Sequence, residues 1–212
     1  MGPFALTATQ IYSPAPGGAL LAAVGLTAAG LGAALLLWAQ GRASLLRASA
    51  LFQLGFAFFG IGLGLAFRIP LSVQGGLFHL LAAAAAQGLA GVSVSRRAGE
   101  WNLGRGLACL CLVGLPPTAG FMSRVLVLRA ALQVGGAGAY MAAGAVLLSA
   151  VCLPGYLRLF VGGYDEENSG QVYGHTSTWL AIMLAILIIL FGLAPQLALW
   201  LIGPISEMLV PS

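Results

Sequence analysis

Two ionisable side chains, His79 and Arg124, lie inside long apolar stretches of this sequence. An imidazole titrates near neutral pH, so His79 could accept and release a proton. A guanidinium stays protonated, so Arg124 could hold a fixed positive charge but could not carry a proton by cycling. The ordinary alternative for His79 is a buried histidine that is hydrogen-bonded to a neighbour and takes no part in ion transfer.

No other group of residues has the spacing of a metal, redox or catalytic site. Cys109, Cys111 and Cys152 are odd in number, form no CxxC pair and lie in apolar segments, so we expect small buried hydrophobic side chains. There is no haem motif and no glycine-rich dinucleotide loop. We therefore assign no cofactor, no metal and no catalytic residue, and we expect no nucleic-acid partner.

The composition excludes a water-soluble domain. Of the 212 residues, 60% are hydrophobic and 7% are charged, whereas a soluble domain has about 25% charged residues. All nine basic residues are arginines, and most of them lie at the ends of apolar runs, where they are expected to act as interfacial anchors. The sequence therefore predicts an all-α integral membrane protein.

Apolar runs of about 20 residues, long enough to cross a bilayer as helices, divide the chain into about seven transmembrane helices. We expect a polar N-terminal segment over residues 1–17 and a transmembrane domain over residues 18–212. The predicted helices are Gly18–Gln40, Ala48–Phe67, Ser72–Val94, two helices within Leu103–Val134, Gly138–Val161 and Thr178–Ile202.

The fourth and fifth helices are separated by a predicted break in "LVGLPPTAGFMSR". Pro117 lacks an N–H group and clashes with the preceding turn, so a helix should end near Pro116 and Pro117. The next helix should begin near Gly120 and Phe121. Such breaks lie beside the ion path in transporters, where Arg124 would face protein or water. A short turn at the membrane surface, with Arg124 reaching toward water, explains these residues equally well.

Four segments, in order, resemble the antiporter-like membrane subunits of respiratory complex I, Mrp-type sodium/proton antiporters and membrane-bound hydrogenases. "LVGLPPTAGFMSRVLVLRAAL" is similar to the family pattern "LaGlPPtaGFxsK". "GRASLLRASALFQLGF" is similar to "DLKRLLAYSSISQLGF", and "GGLFHLLAAAAAQGLAG" to "GALFHLLAHALFKALLF". The closing "FGLAPQLALWLIGP" is similar to the last core helix of the family.

The resemblance extends over nearly the whole chain but over only part of the family fold. Family members have about fourteen helices, built around two inverted five-helix repeats. This chain resembles the last seven helices, with one repeat in helices two to six. The resemblance implies that another chain supplies the second repeat or that the complex works without it.

The family carries protons on membrane-embedded lysines, and this sequence differs at those positions. The resemblance places the lysine of the third helix at Gln87 and that of the fifth helix at Arg124. A second histidine position is Ala83, so His79 alone keeps both its place and its ability to titrate. Gln87 and Arg124 cannot relay a proton by cycling.

Two main functions remain open at this point. We favour a mainly structural subunit of a complex I-type, Mrp-type or hydrogenase assembly, in an energy-coupling membrane, with lipids and at least one further antiporter-like subunit as partners. The alternative is a proton- or sodium-translocating half-channel that uses His79, Arg124 and waters. A free-standing small transporter is the weaker third possibility. Any redox chemistry would belong to other subunits.

Overall fold

The computed structural model describes residues 14–93, 103–161 and 175–210, which are almost entirely helical and contain no strand. Most of the predicted N-terminal segment, residues 1–17, lies outside these ranges. The all-α prediction is confirmed for the described residues. In chain order the helices are α1 (Pro16–Trp38), α2 (Arg42–Phe67), α3 (Pro70–Val92), α4 (Leu103–Val113), α5 (Ala119–Gln133), α6 (Gly136–Val151), α7 (Leu153–Val161), α8 (His175–Leu193) and α9 (Pro195–Leu209).

Prolines and short turns set the ends of the first helices. Pro16 and Pro70 lie in the first turn of α1 and α3, where a missing N–H group costs nothing. Arg68 ends α2 in the left-handed conformation, with φ of 54°. Because the connections are short, α1, α2 and α3 pack as successive neighbours.

Helix α2 packs between α1 and α3. Gly25 of α1 and Gly55 of α2 face each other so closely that a Cβ on either one would collide with the backbone of the opposite helix. Small residues allow this approach, which gives helices in lipid their van der Waals contact. The resulting core includes alanines, phenylalanines and leucines of α1, α2 and α3 and continues into the later helices.

Within the described part of the chain, four helical stretches are long and apolar enough to cross a membrane: α1, α2, α3 and Gly136–Val161, in which α6 and α7 are joined through Cys152. Large apolar side chains are exposed on the outer helices, including Trp179 at 68% and Trp200 at 82% exposure. A soluble protein rarely exposes so much apolar surface. The integral membrane fold predicted from the sequence is confirmed.

The seven-helix division differs from the structure in detail. The predicted seventh span, Thr178–Ile202, is not one straight helix, because Pro195 starts a new helix bent by 88° from the one before. The predicted break after α4 is present over residues 114–118. At a rise of 1.5 Å per residue, α4 and α5 are about 16 and 22 Å long, each shorter than a hydrocarbon core of about 30 Å. Among the described residues, four spans, or five if the bent pair counts as one span, therefore have the length and apolar composition needed to cross a membrane.

Candidate functional site

His79 lies on α3 in the middle of the bundle and is buried. Both of its ring nitrogens have side-chain partners. Nδ1 is 2.9 Å from Oγ of Ser123 on α5, and Nε2 is 2.8 Å from Oε1 of Gln53 on α2. The ring also packs against Phe56, with a centroid distance of 4.7 Å. His79 therefore joins three helices through direct contacts.

The Gln53 side chain uses every hydrogen-bonding group of its amide. Its Nε2 donates to the carbonyl of Leu112 at 2.9 Å and to Oη of Tyr156 at 3.0 Å. Its Oε1 accepts from His79 and, at 3.4 Å, from the guanidinium of Arg124. Because the Leu112 carbonyl can only accept and Arg124 can only donate, these partners fix the orientation of the amide.

The hydrogen bonds continue from Tyr156 to Gln87. Oη of Tyr156 lies 3.1 Å from Oγ of Ser49, and Nε2 of Gln87 donates to the same serine oxygen at 2.8 Å. The three residues singled out for ion chemistry, His79, Gln87 and Arg124, thus belong to one connected set. We call this set the central polar network; its members are Ser49, Gln53, His79, Gln87, Ser123, Arg124 and Tyr156.

Arg124 caps the broken end of α4. Its guanidinium donates to the carbonyls of Leu112 and Val113, each at 2.5 Å. These carbonyls close the last turn of α4 and lack the partners that a continuing helix would supply. A positive charge at a helix C-terminus also interacts favourably with the helix dipole. The buried arginine therefore stabilises the break that precedes it.

The charge of Arg124 has further polarisable neighbours. The guanidinium carbon lies 5.6 Å from the ring centroids of both Phe52 and Phe56, within the range of cation–π attraction. Nε of Arg124 is buried and has no hydrogen-bond partner within the described residues. Among those residues the acidic side chain is Glu207, which is exposed on α9. Carbonyl oxygens and aromatic rings, rather than a carboxylate of this part of the chain, surround the charge.

Backbone geometry at the break fits the capping arginine. Gly114 has a φ of 81°, a left-handed conformation that glycine adopts without steric cost, and the N–H of Leu115 returns to the carbonyl of Leu110 at 2.9 Å. A Cβ on Gly114 would lie 2.8 Å from Cδ of Arg124. The glycine therefore ends α4 and leaves room for the arginine side chain.

The predicted break residues have separate positions. Pro116 and Pro117 are exposed in the turn, outside the central polar network. Gly120 is buried at the start of α5 against the carbonyl of Cys111, and its own carbonyl accepts from Ser123 at 3.0 Å. Phe121 is partly buried in the same helix turn. Gly120 therefore contacts the network directly, whereas the two prolines shape the approach to it.

The surroundings of His79 can accommodate two protonation states by rotation of one hydroxyl. Since Oε1 of Gln53 accepts from Nε2–H, a neutral ring requires Ser123 to donate to Nδ1. A doubly protonated ring would donate from Nδ1 to Ser123, whose hydroxyl would then donate to the Gly120 carbonyl. That state would place a second positive charge beside Arg124.

Two amides limit proton transfer through this network. A relay requires each member to accept a proton on one side and release one on the other. Gln53 lies between His79 and Tyr156, and Gln87 lies at the far end beyond Ser49. An amide donates hydrogen bonds but does not release its proton at neutral pH. Within the described residues, the direct contacts of this network therefore provide no continuous path for proton hopping.

Several members of the network were not identified from the sequence: Ser49, Gln53, Ser123 and Tyr156. The sequence contains a signal for two of them, because Ser49 and Gln53 are spaced by four residues and share one face of α2. Within the described residues no group of three or more histidines, cysteines or acidic residues could hold a metal. The three cysteines are buried and free.

Comparisons with known proteins identify solved structures with a similar architecture. No protein-family model and no curated protein sequence matches the chain. Among solved structures, a chain of the Mrp complex from Dietzia sp. DQ12-45-1b is similar, with 25% identity, a TM-score of 0.76 and coverage of 92% of this chain and 23% of that chain. A chain of respiratory complex I from Thermus thermophilus with bound NADH is similar at 25% identity, with a TM-score of 0.69 and coverage of 91% and 44%. This chain therefore spans less than half the length of either.

Proposed function

We propose that this chain, which has the fold of antiporter-like membrane subunits from Mrp-type and complex I-type assemblies, is a mainly structural subunit of such a multisubunit ion-translocating complex. The proposal places residues 18–212 in an energy-coupling membrane beside other membrane-arm subunits, including at least one further antiporter-like subunit. Any electron transfer belongs to other chains. The observation that carries the structural role is the central polar network.

The network supports a structural role because its contacts are direct and its charge is fixed. It joins α2, α3, α4, α5 and α7 in the interior of the bundle. Buried polar groups that find their partners define one arrangement of helices, since every alternative packing leaves some of them unsatisfied. Arg124 holds the broken end of α4, a task for which a permanent charge and a planar fork suit arginine better than lysine.

The position of Gln87 agrees with this interpretation. Its amide donates to Ser49 at 2.8 Å and so ties α3 to α2, in a stretch of alanines of which Ala85 and Ala86 are buried. A side chain that cannot change its charge is suited to a constant contact between helices and not to a proton-carrying step.

A specific observation also supports the second function, the ion-translocating half-channel. His79 is a titratable group within reach of a hydroxyl that can serve either protonation state. Under this alternative, His79 would exchange protons with waters in a half-channel, and Arg124 would tune it as a fixed charge. This alternative requires waters that bypass Gln53.

The two functions differ in where mutations act. In membrane vesicles that contain the parent complex, ion translocation is measured per assembled complex for His79→Ala and Arg124→Gln. Arg129→Gln is the matched control, because Arg129 is exposed on the same helix. The structural role predicts that the first two variants lower the amount of assembled complex and leave translocation per complex unchanged.

The control variant should change neither quantity. A clear fall in translocation per complex for His79→Ala or Arg124→Gln, with assembly intact, would show that the half-channel is the correct function.

A further inference from the structure

A surface groove lies where the end of α1 meets the first turns of α2, outside the central polar network. Its volume is about 470 Å³, and it is an open depression in the surface and not an enclosed cavity. Leu35, Trp38 and Gln40 line it from α1 and the following turn, and Ser44, Arg47 and Leu51 line it from α2. The groove is thus mainly apolar, with one cationic and two uncharged polar side chains.

Arg47 differs from the other arginines at this end of the bundle. Arg158 donates to the carbonyls of Leu36, Leu37 and Ala39, which form the end of α1. Arg42 donates to the carbonyl of Ala90 near the end of α3. Arg47 is exposed and has no hydrogen-bond or ion-pair partner within the described residues. Its guanidinium is therefore available to an acceptor from outside this part of the chain.

The lining groups of the groove also follow the order of polar and apolar parts in a lipid, from the membrane interface toward the bilayer core. Trp38 is the last residue of α1 and is 80% exposed, and tryptophan is enriched at the level of lipid headgroups. Leu35 lies one turn earlier along α1, toward the apolar middle of that span, and is 45% exposed. Leu51 lies one turn deeper than Arg47 along α2. Polar groups therefore sit at the helix ends and apolar groups toward the bilayer core.

We infer that this groove binds an anionic phospholipid of the surrounding bilayer, with its phosphate group at Arg47 and an acyl chain against Leu35 and Leu51. A guanidinium binds phosphate oxygens through paired charge-assisted hydrogen bonds. The Gln40 amide adds a donor among the lining groups. The hydroxyl of Ser44 already donates to the carbonyls of Gln40 and Gly41, so it shapes the groove and does not supply the main contact. The inference needs only a membrane-embedded chain and holds for either function considered above.

The test uses the assembled complex, purified in mild detergent and labelled with a photoactivatable phosphatidylglycerol. Cross-links should map to residues 35–51 of this chain, and excess unlabelled phosphatidylglycerol should compete with them better than phosphatidylcholine does. One arginine near an anionic lipid surface changes affinity by about fivefold. We therefore expect Arg47→Gln to weaken competition by unlabelled phosphatidylglycerol about fivefold. Arg47→Lys should retain most of this competition, and Arg129→Gln should leave it unchanged.

Three results would overturn the inference. Equal competition by the two lipids would mean that the groove accepts any phospholipid. Equal labelling of wild type and Arg47→Gln would mean that Arg47 is merely hydrated. Protein cross-links from a photoreactive residue at position 51 to another subunit, without lipid labelling, would mean that the groove is a subunit interface. If Arg47→Gln fails to assemble, the competition experiment on the wild-type complex still decides.

Discussion

Nε2 of His79 lies 2.8 Å from Oε1 of Gln53, and this contact joins α3 to α2 in the buried interior beside Arg124. The same glutamine donates to the Leu112 carbonyl and to Tyr156. Gln53 is therefore the residue through which the helix cap, the histidine and the tyrosine are connected, and its removal tests the whole network.

Gln53→Leu should destabilise the protein more than any single loss at the edge of the network. Leucine keeps much of the volume but leaves Nε2 of His79 without a partner and removes one hydrogen bond each from the Leu112 carbonyl and the Tyr156 hydroxyl. An unsatisfied buried polar group costs about 1–3 kcal/mol and a lost hydrogen bond about 1 kcal/mol, so we expect a total loss on the order of 3 kcal/mol. The measurement is the thermal unfolding of this subunit within the complex, purified in detergent.

Gln74→Leu is the matched control for that variant. Gln74 is partly buried on α3 and donates one hydrogen bond, to Ser206 on α9 at 2.9 Å. The same substitution there should cost about 1 kcal/mol. Equal effects of the two variants would contradict a central role for Gln53.

Tyr156→Phe should separate Gln87 and Ser49 from the rest of the network. Tyr156 is buried, and its hydroxyl accepts from Gln53 and contacts Ser49. Because the ring remains, the loss is confined to the hydroxyl, and we expect about 1–2 kcal/mol. Tyr140→Phe, at a tyrosine that is 82% exposed, should change stability by less than about 0.5 kcal/mol. Unfolding midpoints of the two variants decide the matter, and a Tyr156→Phe protein as stable as wild type would contradict the prediction.

The sequence predicted the membrane fold and the first break because both depend on local properties. Apolar runs of sufficient length predict helices without knowledge of their neighbours, and Pro116 and Pro117 interrupt a helix wherever it packs. The continuous hydropathy of Thr178–Ile202 predicts one span. Pro195 nevertheless begins a new helix there, and a proline at a first helical position is compatible with either arrangement when read from sequence alone.

The network was predicted only in part, because its partners are far apart in the chain. Gln53 and Tyr156 are 103 residues apart, and the distance between their helices could not be inferred from either segment. The sequence leaves open whether Arg124 is buried or reaches toward water, and its acceptors are backbone carbonyls, which have no sequence signature. The link between the broken helix and the arginine depends on how α5 packs against the end of α4.

Gly114→Ala should weaken the cap that Arg124 provides. Alanine at this position has two costs: the left-handed backbone, with φ of 81°, and a Cβ within 2.8 Å of the arginine side chain. The backbone cost alone is about 1–2 kcal/mol. Gly135→Ala is a close control, because Gly135 has φ of 90° but no atom within 4 Å of an added Cβ.

The difference between these two variants isolates the contact with Arg124. We expect Gly114→Ala to lower the thermal unfolding midpoint further than Gly135→Ala. Arg124→Ala, which removes the Cδ atom that an added Cβ would meet, should remove most of that difference in a double-mutant cycle. Additive effects of Gly114→Ala and Arg124→Ala would contradict the coupling.

Gly192→Ala should disrupt the contact between the end of α8, which precedes the bend at Pro195, and the break that follows α4. Gly192 lies near the end of α8, one residue before the helix ends at Leu193, and it packs against the carbonyl of Pro117 and the backbone of Thr118. An added Cβ would collide with this backbone, which cannot move aside as a flexible side chain would. The bend at Pro195 would then lose its position against the break that follows α4.

The matched control is Gly203→Ala on α9, where an added Cβ meets no atom within 4 Å. Alanine is the better helix former by about 1 kcal/mol, so Gly203→Ala should leave stability unchanged or raise it slightly. Gly192→Ala should lower it by about 1–3 kcal/mol, the usual cost of overpacking. The measurement is the unfolding midpoint, together with the yield of assembled complex on native gels. If Gly192→Ala is as well tolerated as Gly203→Ala, the two breaks do not support each other, and the bend at Pro195 is held by α9 alone.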